Sequence, residues 1–253
     1  MTPSKELRII PVRVSGEIKP GDSLAEKILH ALRSQQTSLQ EGDILVVKHK
    51  VVSKAEGQMV ELSAVHPSRA SQKWAARYGL DPRVVELALS QSQRIVRRKR
   101  GVLITQTHHG LICANSGIDV SNVDGGQCAL LLPQDPDRSA AKLRREIKRH
   151  LQLSIPVIIS DSFGRPWREG LTEAAIGVAG MKPLRDYRHK RDSRGYVLRA
   201  TVEAVADELA CAAGLVCGKL EGSPACVIRG FHYPPGQGQA RQLIRSASKD
   251  LFR

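Results

Sequence analysis

Residues 156–170 read PVIISDSFGRPWREG. The first five form a short apolar run of strand length, suited to a buried position in a sheet. Asp161 and Ser162 stand where this run ends and a segment rich in glycine and arginine begins. Open α/β sheets place ligand-binding groups at the carboxyl ends of their strands. This segment therefore predicts an α/β protein with a functional site just beyond one buried strand.

The rest of the chain alternates between strand-like and helix-like segments, which indicates the α/β class with a mixed, α+β-like sheet. Further strands are predicted at residues 7–14, 44–47, 102–107, 111–114 and 225–228. Helices are predicted at residues 22–32, 67–79, from 81 onward, 135–151 and over most of 196–216. No repeat or linker interrupts the pattern, so residues 1–253 are predicted to form a single unit, with two closely packed lobes as the alternative.

The composition is that of a globular protein with an aliphatic core. Hydrophobic residues make up 41% of the chain and aromatic residues only 4%, so Val, Ile, Leu and Ala must build that core. The five cysteines are odd in number and form no Cys-x-x-Cys pair, which favours reduced thiols over a zinc site or a disulfide framework. The N-terminus lacks the apolar core of a signal peptide, and no apolar run reaches the roughly 20 residues of a membrane helix. A soluble, cytoplasmic protein without a membrane partner is expected.

The net charge of +14, from 39 Lys and Arg against 25 Asp and Glu, calls for an anionic partner or a large solvated face. Phosphorylated small molecules, nucleotides and nucleic acids all meet that requirement. The basic stretch 182–199 could hold a polyanionic substrate, bind RNA or be a solvated loop, and by itself the solvated loop is preferred. The basic run 94–100 resembles the end of an amphipathic helix and is given no function. An RNA-binding protein is the rival class, but the sequence lacks the interleaved aromatic residues or recognisable module that such a protein needs.

Two carboxylates in separate motifs are candidates for a metal site. Asp119 lies in NSGIDVSNV at residues 115–123, after a predicted strand, and Asp161 is followed by the hydroxyl of Ser162. Two carboxylates and a hydroxyl from strand ends form a hard oxygen site suited to Mg²⁺ or Mn²⁺. Taken singly, each aspartate is better explained as a helix or turn cap, by a small margin. Because the pair lies among many cationic residues, the metal site is preferred.

Lys54, within VVSKAEG at residues 51–57, has two interpretations. It can supply a point charge for a phosphate, or it can be a surface lysine at the start of a helix. Spacing alone favours the surface lysine. The chain has no P-loop motif, so a bound nucleotide must be held in some other way.

Taken in order, seven blocks of this sequence resemble the coenzyme F420:L-glutamate ligase family. The resemblance extends from residue 10 to residue 230, and the residues after it match no motif of that family. The blocks are GEIKPGD at 16–22, VVSKAEG at 51–57, NSGIDVSNV at 115–123, LLPQDPDRSA at 131–140, IISDSFGRPWREGL at 158–171, AIGVAG at 175–180 and VADELA at 205–210.

The resemblance implies an enzyme that uses GTP and two Mg²⁺ or Mn²⁺ ions, helped by K⁺, to add L-glutamate to the deazaflavin precursor coenzyme F420-0. GDP is formed and the amide arises through an acyl phosphate, while the number of glutamates added stays open. The family also implies an unusual α/β fold and an intertwined homodimer. We expect no nitroreductase-like C-terminal domain, which some bacterial relatives carry. A related metal-dependent amide ligase with another acceptor is the alternative among enzymes.

The functional positions of the family fall on particular residues of this chain. Its metal ligands correspond to Asp119, Asp161 and Ser162. Some members carry an acidic ligand where this chain has Lys219, so Glu221 or water is expected to replace it. Its nucleotide contacts correspond to Ser15, Gly16, Glu17, Ile18, His49, Lys50, Lys54, Asn122 and the loop 217–224, which includes Gly218 and Gly222. Arg165, Arg168 and the basic loop 185–191 are expected to hold the anionic precursor, and both arginines are predicted catalytic residues together with the two aspartates.

Overall fold

A computed structural model of the chain describes residues 6–120, 124–218 and 220–251. Its α-helices, in chain order, are α1 (Leu24–Ser34), α2 (His49–Ala55), α3 (Arg69–Tyr78), α4 (Pro82–Ser90), α5 (Pro136–Leu151) and α6 (Val205–Cys217). Its strands are β1 (Arg8–Val12), β2 (Ile44–Lys48), β3 (Met59–Glu61), β4 (Ser92–Lys99), β5 (Val102–Thr107), β6 (Ile112–Ala114), β7 (Cys128–Leu130), β8 (Val157–Arg165), β9 (Arg168–Ala179), β10 (Arg185–Asp186), β11 (Val202–Glu203) and β12 (Ala225–Arg229).

The largest sheet has five strands in the order β1-β12-β2-β8-β9. Strands β2 and β8 run parallel, and the other neighbouring strands of this sheet run antiparallel. A parallel pair requires a long crossover connection, which here includes α2 to α5. The mixed α/β architecture expected from the sequence is confirmed.

The central strands divide the core into two layers, because alternate side chains of a strand point to opposite faces of the sheet. In β2, Leu45 and Val47 pack with buried residues of α1 and α5. Ile44 and Val46 pack on the other face with buried residues of α6. The same division runs through β8 and β12. The sheet is therefore covered by helices on both faces, which explains the continuous apolar runs in its strands.

Smaller sheets flank this central sandwich. Strands β4, β5 and β6 form an antiparallel sheet, which packs on α3 and α4 through Ala75, Val85, Ala88 and Leu103. Strands β3 and β7 form a two-stranded sheet, and β10 pairs with β11. Strands β3 to β7 come from the segment between α2 and α5, whereas β10 and β11 follow β9.

Most of the predicted elements are present. The helix expected at 135–151 is α5, and the side chain of Asp135 caps it by accepting a hydrogen bond from the Arg138 N–H at 2.9 Å. Ser23 caps α1 in the same way. The strands predicted at 102–107 and 111–114 are present as β5 and β6, which pair antiparallel. Capping residues and apolar periodicity therefore located these elements correctly.

Three predicted segments differ from the structure in their extent or type. The strand expected at 156–160 continues to Arg165, because β8 turns back into β9 and pairs with it along its whole length. Residues 94–99 of the basic run belong to strand β4, whose exposed cationic residues hide the alternation that marks a strand. The helix expected over most of 196–216 begins only at Val205, since the residues before it form β11 and its approaches.

The structure also bears on the cysteines and on membrane association. The five cysteines, all within the described residues, are thiols, as expected. No helix in the described ranges combines the length and the apolar composition required to cross a membrane.

Strand β9 lies at the edge of the central sheet and is tied to its surroundings by two carboxylates. Asp207 at the start of α6 accepts a hydrogen bond from the Ala175 N–H at 2.8 Å. Asp137 at the start of α5 accepts from Val178 N–H at 2.8 Å and from Ala240 N–H at 2.7 Å. Backbone groups on an edge strand need such partners when they are buried. Asp137 and Asp207 belong to two of the blocks that carry the family resemblance, LLPQDPDRSA and VADELA, and these blocks therefore hold β9 in place.

Gly177→Ala is expected to lower the free energy of unfolding by about 1–3 kcal/mol, the usual effect of overpacking. A Cβ at Gly177 would lie 2.2 Å from the backbone carbonyl oxygen of Pro136, so α5 would have to move away from β9. Urea denaturation measures the loss. Gly164→Ala is the matched control in the same hairpin, because its Cβ would meet only Leu171 at 4.0 Å. Equal stability of the two variants would contradict the close packing of α5 on β9.

Candidate active site

A cavity of about 700 Å³ lies where the parallel pairing of β2 with β8 ends. Its walls come from the loop before α1, the start of α2, the region of Asp119, strand β8 and the loop before β12. Eleven of the residues predicted to be functional line it: Gly16, Glu17, Ile18, His49, Lys50, Lys54, Asp119, Asp161, Ser162, Gly218 and Gly222. A larger groove of about 870 Å³ along α5 contains none of them, so chemistry rather than size identifies the site.

Each of the two predicted metal-binding carboxylates contacts a cationic or imidazole side chain from the first turn of α2. His49 Nε2 lies 3.2 Å from Asp161 Oδ1, and the His49 side chain is only 4% exposed. The ammonium of Lys50 forms an ion pair with Asp119. Residues 49 and 50 are adjacent, so one helix start supplies a side-chain partner to each carboxylate. The ammonium of Lys50 offsets part of the negative charge of the two aspartates.

A second ionic network forms the floor of the cavity. Lys48 Nζ lies 2.5 Å from Glu173 Oε1, which also accepts a hydrogen bond from Ser162 Oγ at 2.7 Å. Glu173 Oε2 accepts from Ser160 Oγ at 3.0 Å. Burial pushes the pKa of Glu173 upward, but the hydrogen bonds from Lys48 and Ser162 outweigh it and hold the pKa below its usual range. Glu173 is therefore an ionised carboxylate behind the cavity wall.

Lys54 belongs to the cavity and not to the outer surface. It lies in the last turn of α2, and its side chain is only 18% exposed. Its ammonium contacts Glu17 Oε1 at 3.2 Å, which joins α2 to the 15–18 loop. The preference for a surface lysine at a helix start is thus wrong, because Lys54 lies in the last turn of α2 and its side chain lines the cavity.

The donor set fits a magnesium or manganese ion. Asp119, Asp161 and Ser162 present hard oxygen atoms to one cavity. Among the residues that the structure describes, no group of three or more His, Cys, Asp or Glu side chains is arranged to hold a metal. Two carboxylates with a hydroxyl are typical of Mg²⁺, which keeps several waters and takes further ligands from substrate phosphates.

Several predicted residues lie outside the lining of this cavity. Arg165 and Arg168 flank the exposed tip of the β8–β9 hairpin. The 185–191 loop is largely paired within itself, as in the contact of Arg188 with Asp186 at 2.5 Å. Two others border the cavity without lining it: Ser15 precedes Gly16, and the Glu221 side chain accepts a hydrogen bond from the Leu220 N–H at 2.9 Å. Asn122 and Lys219 fall outside the described residues.

Comparisons with known proteins show the family of the chain. The family described as F420-0:Gamma-glutamyl ligase matches residues 14–230. A coenzyme F420:L-glutamate ligase of Methanopyrus kandleri is 44% identical over 252 residues, which cover 98% of each chain. The Methanothermobacter thermautotrophicus enzyme of that name is 44% identical over 238 residues, 92% of this chain and 93% of the relative. The Archaeoglobus fulgidus enzyme is 39% identical over 248 residues, 98% of this chain and 96% of the relative.

The chain belongs to the F420-0:gamma-glutamyl ligase family. The family resemblance found in the sequence is therefore confirmed, and with it the assignment of the protein to the ligases.

Within this ligase, sequence analysis missed Lys48 and Glu173. Lys48 ends a strand of otherwise apolar residues, and Glu173 is the one charged residue in LTEAAIGVAG at 171–180. A charged residue inside an apolar strand is a signal, since burial of a charge requires a partner. The partner itself could not be found from the sequence, because residues 48 and 173 meet only through the order of strands β2, β8 and β9.

Proposed function

We propose that this protein is a GTP-dependent ligase that joins L-glutamate to coenzyme F420-0 and releases GDP. The observation that carries the proposal is the single cavity that unites Asp119, Asp161 and Ser162 with four basic side chains. Membership of the F420-0:gamma-glutamyl ligase family supplies the acceptor, since the curated relatives are named coenzyme F420:L-glutamate ligases. The cavity volume of about 700 Å³ lies within the usual range for sites that enclose small molecules.

The chemistry explains why such a site needs charge and no nucleophilic side chain. A free carboxylate does not condense with an amine, because oxide is a poor leaving group. Attack of a carboxylate oxygen of the precursor on the γ-phosphorus of GTP breaks the bond to GDP and forms an acyl phosphate. The amine of glutamate then attacks the acyl carbon, phosphate leaves, and the amine loses a proton. Phosphoryl transfer depends mainly on positioning and on neutralisation of charge.

The residues of the cavity have distinct parts in this scheme. Asp119, Asp161 and Ser162 would hold two Mg²⁺ or Mn²⁺ ions, with Glu221 or water at the remaining positions. Bound there, the ions would neutralise phosphate charge during the transfer. Lys54 and Lys50 present ammonium groups to the same space and bind nucleotide phosphates as point charges. The helix start at residue 49 adds backbone dipoles that favour an anion.

The proposal extends to the partners of the protein. The nucleotide contacts include Ser15, Asn122 and the 217–224 loop, as in the family. Arg165, Arg168 and the 185–191 loop hold the anionic precursor, and for this they must approach it from outside the cavity wall. K⁺ assists the reaction, and the protein works as a cytoplasmic homodimer. The exposed side chains of Trp167, at 82%, and Leu171, at 62%, support a protein contact at the hairpin tip.

One incubation tests the proposal. Protein, GTP, Mn²⁺, L-glutamate and coenzyme F420-0 are combined, and product masses and released GDP are measured. We expect a product heavier by one or more glutamyl residues, and one GDP for each glutamyl residue added. ATP in place of GTP and omission of K⁺ show the preferences for each. Glutamylation of another acceptor alone would instead indicate a related amide ligase, and a salt-sensitive RNA shift without nucleotide hydrolysis would indicate an RNA-binding protein.

A further inference from the structure

Glu173 lies behind the cavity wall and accepts hydrogen bonds from two serine hydroxyl groups of the cavity lining. It lies on β9 directly opposite Ser162 of β8, and its side chain is 9% exposed. Its Oε1 accepts from Ser162 Oγ at 2.7 Å and faces Lys48 Nζ at 2.5 Å. Its Oε2 accepts from Ser160 Oγ at 3.0 Å. All three partners line the cavity, whereas Glu173 does not.

The proton of the Ser162 hydroxyl has a defined direction as a result. A serine hydroxyl has one proton to donate and two lone pairs with which to accept. Because that proton goes to Glu173, the Ser162 oxygen can act only as an acceptor towards every other partner. A cation in the cavity meets lone pairs there and not a proton. The hydrogen bond to a carboxylate also makes the oxygen more electron-rich and therefore a better ligand.

The ammonium of Lys48 makes this arrangement tolerable in a buried place. A carboxylate removed from water is costly unless it is paired and hydrogen-bonded. Lys48 supplies the opposite charge, and the two serines supply the hydrogen bonds. The ion pair with Lys48 also neutralises the negative charge of Glu173 behind the cavity wall.

We infer that Glu173 is a positioning residue that presets the Ser162 hydroxyl to bind a divalent cation. The inference rests on the proposed function in one respect, namely that a divalent cation is bound by Asp161 and Ser162. Glu173 itself touches neither cation nor substrate. Lys48 balances its charge, and Ser160 holds its second oxygen in place.

The experiment measures Mn²⁺ binding without nucleotide or substrate, from the loss of the electron paramagnetic resonance signal of the free aqueous ion. Glu173→Gln and Ser162→Ala are each expected to weaken Mn²⁺ binding by roughly tenfold or more, as removal of such supporting partners usually does. The double variant is expected to bind Mn²⁺ no more weakly than Ser162→Ala alone, because Glu173 acts through that hydroxyl. Ser160→Ala is the matched control, since it removes the other hydroxyl on the same carboxylate, and a smaller loss is expected.

Two results would overturn the inference. One is wild-type Mn²⁺ affinity in Glu173→Gln, which would leave the residue with a structural role only. The other is multiplication of the two single losses in the double variant, which would show that Glu173 acts independently of Ser162. If Glu173→Gln does not fold, Lys48→Met combined with Glu173→Gln leaves no unpaired buried charge, and the same loss of Mn²⁺ affinity is expected.

The outcome is separate from that of the proposed function. Product formation by the wild-type enzyme tests the ligase reaction, and Mn²⁺ binding by the variants tests the positioning role. If the variants show the expected pattern of Mn²⁺ binding but the wild-type protein makes no glutamylated product, only the proposed function would be refuted.

Discussion

Asp161→Asn is expected to slow GTP-dependent glutamylation by roughly a thousandfold or more while the fold stays intact. Charge stabilisation by metal ions contributes several kcal/mol to such transfers, and about 1.4 kcal/mol corresponds to a factor of ten in rate. Asparagine has the shape of aspartate and can still accept hydrogen bonds from Ser162 N–H, now 2.7 Å from Asp161 Oδ1, and from His49. It cannot supply the negative charge that a cation needs.

The rate is measured from GDP release and product mass at saturating GTP and glutamate. Glu41→Gln makes the same carboxylate-to-amide change in the exposed turn before β2, and it should leave the rate unchanged. The thermal unfolding midpoint of Asp161→Asn should stay close to that of the wild type. Full activity in Asp161→Asn would refute the assignment of this residue to the site.

Arg229→Met is expected to destabilise the protein by roughly 3–5 kcal/mol, the usual effect of removing one partner of a buried ion pair. Arg229 binds Asp43 through two parallel hydrogen bonds, Nε to Oδ1 and Nη2 to Oδ2, both 2.8 Å long. The Asp43 side chain is only 1% exposed. Without the guanidinium, the Asp43 side chain would stay buried at the junction of β2 and β12 without its cationic partner.

Chemical denaturation gives the free energy of unfolding, and two further variants make the result specific. Asp43→Asn with Arg229→Met removes both charges, so it should recover part of the loss. Arg188→Met breaks a contact of the same geometry with Asp186, but there both side chains are about half exposed, at 53% and 47%, and no measurable change is expected. A loss in Arg229→Met no larger than in Arg188→Met would contradict the importance of the buried pair.

The sequence predicted the fold class and most helices, because their signals are local. Asp135 and Pro136 mark the start of α5 by chemistry that acts within one turn. Strand β9 was missed since its partner is β8, reached through a two-residue turn at Pro166 and Trp167. Trp167 adopts the left-handed conformation with φ of 58°, although it is not one of the residues that announce such turns.

The candidate site likewise contains residues that the sequence could predict and residues that it could not. Asp119, Asp161 and Lys54 could be named from motifs, and the structure places all three on one cavity. Glu173 and Lys48 could not, since their contact follows from the lateral order of three strands and from the register that sets Ser162 opposite Glu173. A local sequence pattern carries no information about a contact between residues so far apart in the chain.

Strands β2 and β12 lie side by side, with the Asp43–Arg229 pair at one end and Lys48 N–H donating to the Pro224 carbonyl at 2.8 Å at the other. At about 3.3 Å per residue, these ends are roughly 16 Å apart. Changes at sites so far apart usually add without influencing each other. Substitutions at the Asp43–Arg229 end can therefore alter heat tolerance in descendants of this protein. Substitutions at the Lys48 end can alter substrate selectivity independently.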